Sequence, residues 1–162
     1  MSSVSIQRES PIAPDAPIDA PLRVFRPAET RLVVIVPALN EAKTIADVVL
    51  RVPRSIEGIH HVDVVVVDDG STDETAQLAR NAGAIVVGHP RPSGVGAAFQ
   101  TGLRKAFELG ADMVLNIDGD GQFSPEDIPK LIGPLIAGQA DFVTASRFKD
   151  PALEPKMPRI KK

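Results

Sequence analysis

The 162-residue chain carries 18 Lys and Arg against 21 Asp and Glu, a formal net charge of -3, which argues against a nucleic-acid-binding surface. The absence of cysteine excludes disulfides, thiolate metal sites and cysteine nucleophiles, and His60, His61 and His89 lack the spacing of an H-E-x-x-H metal site. Hydrophobic residues make up 43% of the chain and aromatics only 4%, so the core is expected to consist of Val, Ile, Leu and Ala, as in one buried parallel sheet flanked by helices.

Residues 1–30 hold Pro11, Pro14, Pro17, Pro21 and Pro27 without sustained periodicity and read as a disordered tail. No apolar run approaches the roughly 18–20 residues that span a bilayer. The N-terminus also lacks the apolar stretch of a signal peptide. A cytoplasmic chain is expected, with peripheral association at the cytoplasmic face of a membrane left open.

From Arg31 the pattern changes. Leu32 to Val36 is a continuous apolar run of the kind found in buried strands, and Pro37 stops it. Asn40 is placed to cap a helix from about Glu41, with Ala42, Ile45, Val48, Val49 and Val52 as its stripe. A second strand over 62–67 ends in Asp68, Asp69 and Gly70. Ser71 to Glu74 has the S-x-x-E form of a capping box for the next helix. A third strand over 84–87 leads through a loop to a helix over 95–109, with Val95, Ala98, Phe99, Gly102, Leu103, Ala106 and Phe107 on one face. A fourth strand over 112–117 runs into Asp118, Gly119, Asp120, Gly121 and Gln122. A helix then starts near Pro125, and Pro134 is expected to kink or shorten it. A fifth strand is expected over 142–145. Strands alternating with helices predict an α/β fold with a largely parallel sheet, and ligands bind beyond the carboxyl ends of such strands. Asn40, Glu41, Asp68, Asp69, Asp118 and Asp120 all fall there.

Asp118 and Asp120 are spaced so that, in extended backbone, both carboxylates point the same way and can share a hard cation such as Mg²⁺ or Mn²⁺ with a substrate diphosphate. The plainer alternative is an Asp/Gly surface turn. Asp68 and Asp69 point to opposite faces, so one can meet a base or ribose while the other caps the turn into Ser71. Glu41 suits either a ligand or the helix dipole. Arg147 suits either a diphosphate or solvent. Gly94, Val95 and Gly96 begin like a dinucleotide fingerprint, but Phe99 stands where its third glycine belongs.

Taken together, V-P-A-L-N-E at 36–41, V-V-V-V-D-D-G-S-T-D at 64–73, N-I-D-G-D-G-Q at 116–122 and S-R-F at 146–148 resemble family 2 glycosyltransferases of the GT-A fold. Within that family the chain most resembles the polyprenol-phosphate (dolichol-phosphate) mannosyltransferases and related bacterial enzymes. The resemblance implies a donor-binding domain over 31–148, after the tail over 1–30, with a Rossmann-like sheet and helices on both faces; the segment over 149–162 is either a basic Pro-rich tail or the truncated start of the acceptor region. It places Pro37, Leu39 and Glu41 around the nucleotide, although the family often has an aromatic where Leu39 stands. Val67 and Asp69 are placed beside the base. Asp118, Gly119 and Asp120 are placed at the metal and diphosphate, and Gln122 and Arg147 near the donor phosphates or sugar. The implied reaction moves a sugar from GDP-mannose or a UDP-sugar to a polyprenyl phosphate with inversion, with Mg²⁺ or Mn²⁺ as cofactor. Two other readings stand beside it: a nucleotide-sugar-binding module without transfer, and a haloacid-dehalogenase-like phosphatase, which the position of the D-G-D-G motif after three strands disfavours. Neither the sugar, the base, the acceptor nor the oligomeric state is legible.

Overall fold

The structure, a computed structural model, describes residues 3–6 and 29–146. In chain order the elements are β1 (Ser3–Ile6), β2 (Arg31–Ala38), α1 (Ile45–Arg51), β3 (His61–Asp68), α2 (Thr75–Asn81), β4 (Ile85–Gly88), α3 (Val95–Glu108), β5 (Met113–Asn116), a 3-10 turn (Pro125–Asp127), α4 (Ile128–Ile136) and β6 (Val143–Ser146). The described residues fall into two compact units, one over 29–128 and a second formed by 3–6 with 129–146.

The larger unit is built on a four-stranded sheet in the order β4-β3-β2-β5, and every neighbouring pair is parallel. Its centre is β2, where Leu32 to Val36 are wholly buried, as a strand covered on both faces must be. Successive side chains alternate between the faces. Val33, Ile35, Val65 and Val67 form one core with Ala98 and Ala106 of α3. Right-handed crossovers put α1 and α2 on the opposite face, because β2→β3→β4 runs one way across the sheet and β4→β5 returns the other way. The expected arrangement, a mostly parallel sheet with helices on both faces, is therefore present. Among the described residues no helix is long and apolar enough to cross a membrane.

Several local expectations are corrected. In α3 the buried positions are the small ones, Ala98, Gly102 and Ala106, while Val95, Phe99 and Phe107 are exposed. The cause is close packing on β2: a Cβ built on Gly102 would lie 2.4 Å from Ile35 Cγ2. Gly102→Ala should therefore destabilise the protein despite alanine's helix preference. Overpacking costs about 1–3 kcal/mol and the propensity gain is at most about 1 kcal/mol. A urea melt gives the sign, and a more stable variant would contradict the close contact.

The fifth strand does not join the parallel sheet. Instead β6 pairs antiparallel with β1 in a separate two-stranded sheet, Val4 opposite Ala145 and Ile6 opposite Val143. The strand Ser3–Ile6 falls inside the stretch read from sequence as a tail; its alternation of Ser with Val and Ile is four residues long, too short to register without knowledge of its partner. The helix α4 ends at Ile136, two residues past Pro134, in keeping with a shortened helix.

Candidate functional site

The carboxyl ends of β2, β3 and β4 are level, with Ala38 opposite Asp68 and Asp68 opposite Gly88. The fourth strand stops sooner: Asn116 pairs with Ile35, after which the chain leaves the sheet. The sheet order reverses between β2 and β5, the crevice where open α/β sheets bind ligands.

Two loops over this end are joined by side chains. Asn40 takes a left-handed conformation at φ 56°, which Asn tolerates better than most residues. Its N–H donates to Ser71 Oγ at 2.9 Å, and its own Oδ1 accepts from the Thr72 N–H at 2.9 Å. The next two N–H groups continue the series, Glu41 to Thr75 Oγ1 at 2.8 Å and Ala42 to Asp73 Oδ2 at 3.2 Å. Asp73 also accepts from the Thr75 hydroxyl and, at 3.0 Å, from its N–H. The Thr75 hydroxyl is the main reason that the Asp73 carboxyl lies below the usual carboxylate range; burial opposes it, and the Thr75 and Ala42 N–H groups reinforce it. These bonds explain two corrected helix starts. Asn40 does not cap α1, which begins at Ile45. Ser71 caps nothing either, because its hydroxyl serves the other loop and α2 begins at Thr75 without a side-chain cap.

The segment after β5 is pinned to the same place. Gly119 is buried, and a Cβ built on it would lie 3.2 Å from the Pro37 carbonyl oxygen and 3.4 Å from Ala38 Cβ. The Thr44 hydroxyl donates to the Gly119 carbonyl at 2.8 Å, with Glu41 Oε2 also in range at 3.1 Å. Further on, Arg51 grips Glu126 through both carboxylate oxygens, at 2.6 and 2.8 Å, and ties the 3-10 turn to α1. The paired carboxylates Glu126 and Asp47 raise the Arg51 pKa, and Arg51 in turn holds Glu126 below its ordinary value.

Pro37, Glu41, Gly119 and the Asp118 to Gln122 segment thus gather at the tip of β2. Leu39 is exposed there. Asp118 is exposed and Asp120 half-buried, with Asp120 Oδ1 accepting from the Gln122 N–H at 2.9 Å. Extended strand does not set the direction of these two side chains, because β5 ends at Asn116 and the residues lie before and in a turn. Val67 is wholly buried in the core beneath α3, so only its backbone can face a ligand. Arg147 lies outside the described residues.

Asp69 is 5% exposed and faces the loop between β4 and α3. Its Oδ1 accepts from His89 Nδ1 at 2.7 Å and from the Ser93 N–H at 2.9 Å, and its Oδ2 from the Gly94 N–H at 2.8 Å. Asp68 Oδ1 instead accepts from the Ser71 N–H at 3.1 Å. Burial pushes the Asp69 pKa up, but the bonds from His89, Ser93 and Gly94 together outweigh it and leave the carboxyl below its ordinary value. A depressed folded-state pKa means stability that is complete above the unfolded value of about 4 and is lost as pH falls through the folded one. Urea midpoints from pH 5 down to pH 2 should fall more steeply for the native chain than for Asp69→Asn, and equal slopes would contradict this.

The sequence assigns no site role to Thr44, Asp73, Thr75 or His89, because their bonds join segments distant in the chain.

Comparison with known proteins accords with this architecture. The profile described as glycosyl transferase family 2 matches residues 33–162. The chain is 36% identical, over 83% of its length, to a UDP-N-acetylglucosamine–dolichyl-phosphate N-acetylglucosaminyltransferase of Methanococcus voltae, and covers 59% of that protein. It is 32% identical, over 76% of its length, to the polyprenol monophosphomannose synthase of Mycolicibacterium smegmatis, and covers 47% of it. The chain thus spans roughly half the length of these relatives. Among solved structures it is similar to the glucosyl-3-phosphoglycerate synthase of Mycobacterium tuberculosis in complex with Mn²⁺, UDP-glucose and phosphoglyceric acid, with 31% identity, a TM-score of 0.55 and coverage of 71% of this chain and 42% of that one. The same synthase is also solved with Mg²⁺ and UDP, with 30% identity, a TM-score of 0.52 and coverage of 69% of this chain and 41% of that one. A GT-A-like parallel sheet, the three loops gathered at its switch point and the extent of the match lead to one assignment: this chain belongs to glycosyl transferase family 2.

Proposed function

We propose that the carboxyl end of the parallel sheet binds a nucleotide-diphosphate sugar, and that the chain serves transfer of the sugar with inversion to a polyprenyl phosphate. The observation that carries this reading is the packing of Gly119 on Pro37 and Ala38 at the switch point, with Asp118 and Asp120 on either side of it. The dolichyl-phosphate and polyprenol-phosphate relatives support the acceptor class, and the UDP and UDP-glucose complexes support the donor class.

The donor set is all oxygen. Among the described residues no three His, Cys, Asp or Glu side chains converge, and the groups assigned to a cation in this reading are the carboxylates of Asp118 and Asp120. That fits Mg²⁺ or Mn²⁺, which are commonly held by one or two carboxylates together with substrate phosphates and water. A bound cation would neutralise charge on the departing diphosphate. The chain's own groups do the positioning. Pro37, Leu39 and Glu41 border the nucleotide, Gln122 and Arg147 are assigned to the phosphates or sugar, and Thr44 holds the Gly119 carbonyl in place. An acceptor phosphate oxygen attacks the anomeric carbon as the bond to the diphosphate breaks. That oxygen is already anionic at neutral pH, so no general base is needed.

Calorimetric titration of the native chain with UDP- and GDP-sugars, with and without Mn²⁺, tests the reading. Binding is expected for one base class and only with the cation. Equal affinity with and without Mn²⁺ would overturn the cation site, and no binding by either class would overturn the donor site.

A further inference from the structure

Next to the loops already described lies a second hydrogen-bonded chain that the donor reading leaves unused. His89 sits between Asp69 and Thr101, with Nδ1 at 2.7 Å from Asp69 Oδ1 and Nε2 at 2.9 Å from Thr101 Oγ1. The Asp69 and His89 side chains are only 8% and 15% exposed. An ionised carboxylate only accepts, so Nδ1 carries the proton, and in the neutral ring Nε2 accepts from the Thr101 hydroxyl.

Hydroxyl, imidazole and carboxylate in this order match a hydrolase triad, but the surroundings do not. Thr101 lies midway along α3, where backbone N–H groups are spent on helical bonds and cannot form an oxyanion hole. Holding a loop is what the arrangement does. Asp69 gathers His89, Ser93 and Gly94, and the last of these opens α3 at φ 92°. The same loop crosses Gly70 so closely that a Cβ there would lie 2.6 Å from the Arg91 carbonyl carbon. Through Gly70 and Ser71 the loop adjoins the segment that fixes Asn40 and Glu41.

We infer that His89 is a positioning residue of the donor site: bridging Asp69 to Thr101, it holds the loop between β4 and α3 as a wall of the nucleotide pocket, and Asp69 acts as the anchor of that wall rather than as a group that touches the base. This inference rests on the donor-site reading above. The geometry supports it directly, since both Asp69 oxygens already accept bonds from the protein.

The test uses the full chain in three measurements: ¹⁵N NMR of the His89 ring, hydrogen exchange at the Ser93 and Gly94 amides, and titration with the nucleotide sugar the native chain binds best. His89 should be the Nδ1–H tautomer. His89→Ala should speed exchange at both amides and weaken donor binding by about tenfold, the scale seen when an outer-shell partner is removed, while amides of β2 keep native protection. Thr101→Ser should behave as native and Thr101→Val should follow His89→Ala in direction. That serine and valine pair decides the matter if His89→Ala does not fold. An Nε2–H tautomer, or native amide exchange and donor affinity in His89→Ala, would overturn the inference. Failure of the native chain to bind any nucleotide sugar would instead overturn the donor-site reading and the pocket-wall role with it.

Discussion

Gly70→Ala should cost about 3 kcal/mol of stability and abolish donor binding together. Two independent penalties meet at this position. Gly70 has φ 80°, a left-handed conformation that costs a residue with a Cβ roughly 1–2 kcal/mol. Its Cβ would also lie 2.6–2.8 Å from Arg91 Cα, the Arg91 carbonyl carbon and the Pro92 nitrogen, all backbone atoms that cannot rotate away. Overpacking of that kind adds about 1–3 kcal/mol unless the loop moves. If it moves, Ser93 and Gly94 leave Asp69 and the wall beside the nucleotide is lost. Urea denaturation and nucleotide titration of the one variant read both effects. A variant with native stability and native affinity would show that the loop does not cross Gly70 as described.

The second large effect is expected at Asp120. Asp120→Ala should weaken cation-dependent donor binding by at least about a hundredfold, above the range for removal of an outer-shell partner, with stability changed by no more than about 0.5 kcal/mol. The half-buried carboxylate also shapes its own turn, since Oδ1 accepts from the Gln122 N–H at 2.9 Å. Asp120→Asn separates the two roles. The amide oxygen keeps the turn, while the negative charge is gone. Asp120→Asn should therefore bind the cation as poorly as Asp120→Ala. If it binds nearly as well as the native chain, Asp120 serves the turn and not the ion. Calorimetry with Mn²⁺ at fixed donor concentration distinguishes the two.

What was legible in the sequence was the part governed by short-range patterning. The continuous run Leu32 to Val36 marks a strand buried on both faces, and it is the centre of the sheet. Alternation of strands and helices fixed the class, and the acidic residues at strand ends located the candidate site. Contacts between distant segments were not legible. Asn40 reads as a helix cap because caps are local, yet its partners Ser71 and Thr72 lie more than thirty residues away. Ser71 reads as a capping-box residue for the same reason, while its hydroxyl serves Asn40. Phe99 and Phe107 fit a helical stripe, but the apolar period says nothing about how near α3 lies to β2, and Gly102 against Ile35 leaves room only for small residues at the interface. The strand-end pattern leaves open which of Asp68 and Asp69 meets a ligand, and the engagement of Asp69 by His89, Ser93 and Gly94 is visible only in three dimensions. β6 followed a helix as the earlier strands do, and its antiparallel pairing with β1 depends on a four-residue segment near the other end of the chain.

The most direct test of the account is paramagnetic broadening of backbone amides by Mn²⁺ in the presence of the bound nucleotide sugar. Resonances of residues 38–41 and 118–122 should broaden together at substoichiometric Mn²⁺, while His61 and Asp112, at the amino ends of β3 and β5, should stay sharp. Broadening centred on the amino ends of the strands, or broadening at 118–122 that leaves 38–41 untouched, would contradict a single cation and donor site at the switch point.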